Sequence, residues 1–96
     1  MTPSDCTSMA ELRKVIDALD AELVALLRRR ADCIDRAIEL KPAEGLPARI
    51  DDRVAEVLGH VRRRAGEVGL DPALAESLWR TLIEWSIARE ERVLGC

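Results

Sequence analysis

The chain has 96 residues, 48% apolar and 34% charged, enough for one domain spanning 1–96 with a buried core and too apolar to be disordered by composition. Only 2% of residues are aromatic and the net charge is −3, which disfavours a β-sandwich, a base-stacking platform, a DNA-binding surface and an anionic-membrane surface. The longest wholly apolar run, Leu23–Leu27, is far short of the ~20 residues that span a bilayer, and the opening MTPSDCTSMAEL lacks a signal-peptide pattern, so a cytoplasmic protein is expected.

Ser8 followed by Glu11 has capping-box spacing and opens the first periodic segment. Leu12, Val15, Ile16, Leu19, Leu23, Leu26 and Leu27, then Ile34, Ala37 and Ile38, recur at helical intervals over about thirty residues. The helix is predicted to stop close to Lys41, because the residue before Pro42 is pushed out of the α region. Pro42–Ala48 reads as a loop, expected to be mobile without ligand because it carries Gly45 and few apolar anchors. A second helix is predicted from about Ile50 to Val68, with Val54, Val57, Leu58, Val61, Ala65 and Val68 inward. Gly69 suits the left-handed position after a helix end, Asp71 an N-cap and Pro72 a first helical position. The third helix is predicted from Pro72 to about Leu94, burying Leu74, Leu78, Leu82 and Trp85. No segment reads as a strand, so the class is all-α with three helices.

A first helix of about 32 residues would be ~48 Å long, whereas a compact chain of this size has a radius of gyration of only ~12–13 Å. Its apolar stripe must therefore continue against another chain, which predicts an obligate two-fold helical dimer. Cys6, Cys33 and Cys96 are odd in number and form no C-x-x-C pair, and the lone His60 has no ligand partner at suitable spacing. Reduced thiols, no metal site and a surface position for His60 follow.

The informative residues break the apolar pattern. The first-helix stripe lands on Arg30 and again on Lys41, about 20° apart around the axis, and unpaired charge is costly to bury. The third-helix line Trp79, Ile83, Ser86, Glu90 places a hydroxyl and a carboxyl inward, and Arg53 opens the second helix, where amides and dipole favour anions. Arg13 lies about 100° from the Arg30 line and faces a different neighbour. The bland alternative is a buried salt bridge of Arg30 or Lys41 with Glu90; the converging stripes favour an anion-binding pocket. The remaining arginines of Arg28–Arg30 and Arg62–Arg64 are expected to be solvated, and both tryptophans to be core.

This arrangement resembles the all-helical chorismate mutase family, including its isochorismate-pyruvate lyase branch. The resemblance rests on Leu12-Arg13, Ile16-Asp17-Ala18-Leu19-Asp20, Leu23–Leu27, Arg30, Lys41, Ile50–Arg53 and Leu82–Ser86 leading to Glu90. It implies an intertwined homodimer whose active sites each take residues from both chains. Arg13 would be the partner-donated arginine on a substrate carboxylate and Arg30 the same-chain carboxylate grip. Lys41 would donate to the ether oxygen of the breaking C–O bond, and Arg53 and Ser86 would line the pocket. Val54 stands where bacterial mutases carry a glutamate that meets the ring hydroxyl, and Glu90 where a glutamine often donates to the ether oxygen. The segment Thr2–Thr7, the pair Arg53-Val54 and the stretch Trp85–Ala88 look like the lyase branch.

Rearrangement of chorismate to prephenate needs no nucleophile, metal or redox cofactor. It needs confinement of the folded conformer through both carboxylates, and positive charge aimed at the ether oxygen. Chorismate mutase is thus the first expectation, isochorismate-pyruvate lyase the second, and a non-catalytic helical dimer binding a partner helix or small anion the third. An ionised Glu90 can only accept hydrogen bonds, so the expectation is that it works protonated and activity falls as pH rises. The rival is a Glu90 that stays charged and pairs with Lys41 or with an amine substituent on the substrate.

Overall fold

A computed structural model of the chain describes residues 2–95. A 3₁₀ turn, Pro3–Asp5, precedes three helices: α1 (Met9–Glu44), α2 (Asp51–Val68) and α3 (Pro72–Leu94). Among the described residues there is no strand, and no helix is long and apolar enough to cross a membrane. The 3₁₀ turn is closed by Asp5, whose Oδ2 accepts from the Thr2 N–H at 3.0 Å and from its hydroxyl at 2.9 Å. Those two bonds hold the Asp5 carboxyl below the usual carboxylate range, the backbone one having the larger effect.

The helix ends follow local chemistry. Ser8 Oγ accepts from the Glu11 N–H at 3.2 Å, half of the expected capping box. The Glu11 carboxylate reaches one residue further back, to the Thr7 N–H at 2.9 Å. Asp71 Oδ1 accepts from the Ala73 N–H at 2.9 Å, with Pro72 as first helical residue. α2 ends at Gly69 (φ 76°), where Gly69 N–H meets Gly66 O and Leu70 N–H meets Ala65 O at 2.8 Å, a Schellman closure.

The predicted stop of α1 at Lys41 is corrected: the helix passes through Pro42 to Glu44. Proline removes one N–H and strains the preceding residue, yet in a last turn that cost is met by the bonds that close the helix. Gly45 (φ 69°) donates to Pro42 O at 3.2 Å and Leu46 to Lys41 O at 3.0 Å, a second Schellman closure. The glycine, not the proline, sets the end.

The chain divides into two compact units after Cys33. The first holds the 3₁₀ turn and the N-terminal part of α1, and none of its described residues is buried. Ile16, Leu19, Leu23, Leu26 and Leu27 are each 42–57% exposed in the single chain. The second unit holds the rest of α1 with α2 and α3. Its core joins Ala48, Leu58, Ile83 and Ile87, against which Val54, Val57, Trp79 and Leu94 pack. Each fully buried Leu or Ile contributes about 1.5–3 kcal/mol.

Several expected core residues lie outside. Val68 is 78% exposed, while Leu74, Leu78 and Trp85 are about half exposed. α3 carries apolar residues on more than one face and offers two stripes. The inward one is Ala75, Ile83, Ser86, Ile87 and Glu90, its polar members satisfied by the Leu82 carbonyl and by Lys41. Trp85 instead lies beneath the Arg89 guanidinium, 5.3 Å from the ring centre.

Candidate active site around Lys41 and Glu90

The last turn of α1 carries Lys41, where a cation complements the helix dipole. Its Nζ lies 2.6 Å from Glu90 Oε1 and donates to the Ala48 carbonyl at 2.9 Å. The Lys41 side chain is 16% exposed and that of Glu90 only 6%. Oε1 is fully buried and sits off the hydrogen-bonding direction, so the contact is a close charge pair and not an aligned hydrogen bond. An ammonium has three donors, so one acceptor and one flanking charge leave capacity for a further oxygen. This geometry favours the rival reading of Glu90, a charged partner of Lys41.

Ser86 lies one turn before Glu90 on α3 and is buried, its hydroxyl donating to the Leu82 carbonyl at 2.8 Å. Lys41, Ser86 and Glu90 are thus placed inward in the second unit, as the stripe argument requires. Arg53 is the third residue of α2, but its guanidinium is 61% exposed and pairs along the helix with Glu56. Arg13 is exposed and Arg30 half-buried, both in the first unit.

Two ion pairs that no local pattern indicates flank the site. Arg89 grips Asp35 through Nε at 2.6 Å and a terminal nitrogen at 3.2 Å, joining α3 to α1. Arg49 grips Glu84 through both terminal nitrogens, at 3.0 and 2.7 Å, joining the α1–α2 connection to α3. The hydrogen bonds to Arg49 hold the Glu84 carboxyl below the usual carboxylate range. The pair is therefore intact from neutral pH downward and is lost only as the pH falls through that lowered value. The partners lie 35 and 54 residues apart in sequence, beyond the reach of any helical periodicity.

The expectation of a poorly anchored loop loses its premise. Ala48 is 4% exposed and part of the core, and Arg49 and the Lys41 contact hold the connection on either side of it. Arg28, Arg62 and Arg64 are solvated, each beside an acidic neighbour (Asp32, Glu76 and Glu67), and His60 is exposed on α2. Cys6 is half-buried and Cys33 exposed, neither in a disulfide, while Cys96 lies outside the described residues.

A buried lysine–glutamate pair beside an inward serine, on three helices in this order, is the setting in which sequence comparison is decisive. The family model described as chorismate mutase type II matches residues 12–91. The chain belongs to this family. An isochorismate pyruvate lyase of Pseudomonas aeruginosa is 40% identical over 90 residues, covering 93% of this chain and 87% of that protein. A 4-amino-4-deoxychorismate mutase of Streptomyces pristinaespiralis is 36% identical over 72 residues, 75% of this chain and 56% of the relative. A chorismate mutase of Methanocaldococcus jannaschii is 26% identical over 86 residues, 90% of this chain and 87% of that protein.

Proposed function

We propose that this chorismate mutase type II chain cleaves isochorismate to salicylate and pyruvate, with the rearrangement of chorismate to prephenate as the second reading. The order reverses the one drawn from the sequence. The observation that carries it is the similarity to an isochorismate pyruvate lyase along nearly the whole of both chains. The Thr2–Thr7 segment and Val54, which departs from the mutase pattern, support it. The mutase reading is retained because the same inventory of cations serves both reactions.

In the cleavage, the ether C–O bond breaks while a ring hydrogen passes to the enolpyruvyl methylene. The ring becomes aromatic salicylate and the three-carbon fragment leaves as pyruvate, so atoms balance without a co-reactant. In the rearrangement the same C–O bond breaks and a C–C bond forms. Both transfer electron density onto the ether oxygen, and a pre-placed ammonium lowers the barrier by stabilising that charge. Lys41 fills this role, its Nζ already fixed by Ala48 and Glu90. Arg13, donated by the second copy, and Arg30 would grip the two carboxylates, Arg53 would add positive potential at the head of α2, and Ser86 would shape the pocket wall. No metal or redox cofactor is required.

The test is a paired product assay. Isochorismate and chorismate are supplied separately, and salicylate, pyruvate and prephenate are separated by chromatography. Salicylate with equimolar pyruvate from isochorismate is expected; prephenate from chorismate as the dominant product would establish the mutase reading instead. Turnover of neither substrate would return the chain to a non-catalytic helical dimer.

The working form is a homodimer in which two copies cover each other's α1 stripe. The support is the exposure of Ile16, Leu19, Leu23, Leu26 and Leu27 in one chain, an apolar run larger than single scattered surface leucines. Light scattering is expected to give twice the chain mass. Leu23→Asp should remove at least half the dimer at micromolar concentration, and a monomeric native protein would refute the assembly.

A further inference from the structure

We propose that Arg49 and Glu84 are a positioning pair for Lys41: they hold the α1–α2 connection on α3 so that the Ala48 carbonyl stays on the lysine ammonium. The proposal rests on the role given to Lys41 above. Arg49 is the single charged residue between Gly45 and Ile50, and it makes a two-pronged contact with Glu84 at 3.0 and 2.7 Å. Its neighbour Ala48 is buried and presents its carbonyl to Nζ at 2.9 Å. At the other end of the segment, the Leu46 N–H bonds the carbonyl of Lys41 itself at 3.0 Å. The connection is therefore tied to Lys41 twice, through main chain and ammonium, and to α3 once, through Arg49.

The burial pattern separates positioning from bulk stability. The Arg49 and Glu84 side chains are 45% and 60% exposed, and a pair this open adds little to global stability. Its leverage is local, because Ala48 is adjacent in the chain and small displacements of a reacting group reduce rate steeply. Glu91 and Asp51 also face Arg49 and raise its affinity for protons in the same sense as Glu84. They keep the guanidinium in an acidic setting without making the two-pronged contact.

The experiment compares Arg49→Ala, Glu84→Gln, their combination, and the exchange Arg49→Glu with Glu84→Arg, all in the full chain. Each single change is expected to lower kcat about tenfold, with KM within twofold and the melting temperature nearly unchanged. The combination should be no worse than either single change, and the exchange should recover part of the loss, Glu91 and Asp51 opposing a carboxylate at position 49. In a Lys41→Met chain, Arg49→Ala should have no further effect. Additive losses, no recovery on exchange, or an undiminished effect without Lys41 would each overturn the proposal. Amide hydrogen exchange supplies a readout independent of turnover: residues 46–50 should lose protection in Arg49→Ala, and unchanged protection overturns the pair. A native chain that converts neither substrate refutes the proposed function, and the exchange measurement still decides whether Arg49 holds the connection.

Discussion

A chain carrying Lys41→Met together with Glu90→Leu is expected to melt no lower than the native protein and to turn over its substrate about 10²–10³-fold more slowly. The Lys41–Glu90 pair is largely withdrawn from water, with side-chain exposures of 16% and 6%. Desolvating two charges costs several kcal/mol, which their attraction recovers only in part when the contact is poorly aligned. Apolar side chains of similar length fill the same space without that cost and leave the Ile83–Ile87 face of α3 intact. On the role proposed for Lys41, the rate falls because no donor remains at the breaking bond. Calorimetry and initial rates on the same sample test both halves. Activity within tenfold of native would remove Lys41 from the chemistry, and a large drop in melting temperature would make the pair a net stabiliser.

Removing only one partner should act in the opposite direction on stability. Glu90→Ala leaves the Lys41 ammonium in a largely buried position without its counter-charge and opens a gap beside Ser86. A loss of about 3 kcal/mol is expected, equivalent to roughly 10–20 °C for a chain of this size. Glu90→Gln also removes the counter-charge but keeps the volume and an oxygen close to Nζ, and should cost less. It also introduces an N–H that can donate to the ether oxygen, which an ionised carboxylate cannot do. On that ground kcat/KM at pH 7.5 should rise about tenfold, or ~1.4 kcal/mol of barrier. A Glu90→Gln chain slower than native at pH 7.5 would mean that the negative charge itself contributes to turnover.

The parts of the fold legible in the sequence were those written in short-range chemistry. Gly69, Asp71 and Pro72 punctuate the α2–α3 turn because left-handed backbone, side-chain capping and a fixed φ are properties of single residues. The inward line Trp79, Ile83, Ser86, Glu90 was visible because one helix face repeats at fixed intervals. Where two local signals competed, the sequence misled: Pro42 argued for an end that Gly45 supplies three residues later. α3 misled for a related reason, since Leu74, Leu78 and Trp85 make as good a stripe as the buried one. Nothing local marks Arg49 for Glu84 or Asp35 for Arg89; those pairs exist only once the helices are packed. The chemistry lay in between. Lys41 and Glu90 were visible as inward charges, but their contact with each other and with the Ala48 carbonyl belongs to the folded unit.

The small apolar interior carries a consequence for how much protein must be present. Among the described residues the buried apolar side chains are Ala48, Leu58, Ala65, Ala75, Ile83 and Ile87, half of them alanine, while the leucines of α1 face outward. Such an interior does not by itself outweigh the chain entropy of about a hundred residues. In the proposed homodimer, folding joined to association through α1 would make stability a function of concentration, each tenfold dilution lowering it by about 1.4 kcal/mol. The protein's own abundance then enters its survival. If the dimer is the only folded form, a cell making too little of it would hold mostly unfolded chain, open to proteolysis, so the supply of folded protein would switch on above a threshold and not rise in proportion to its synthesis.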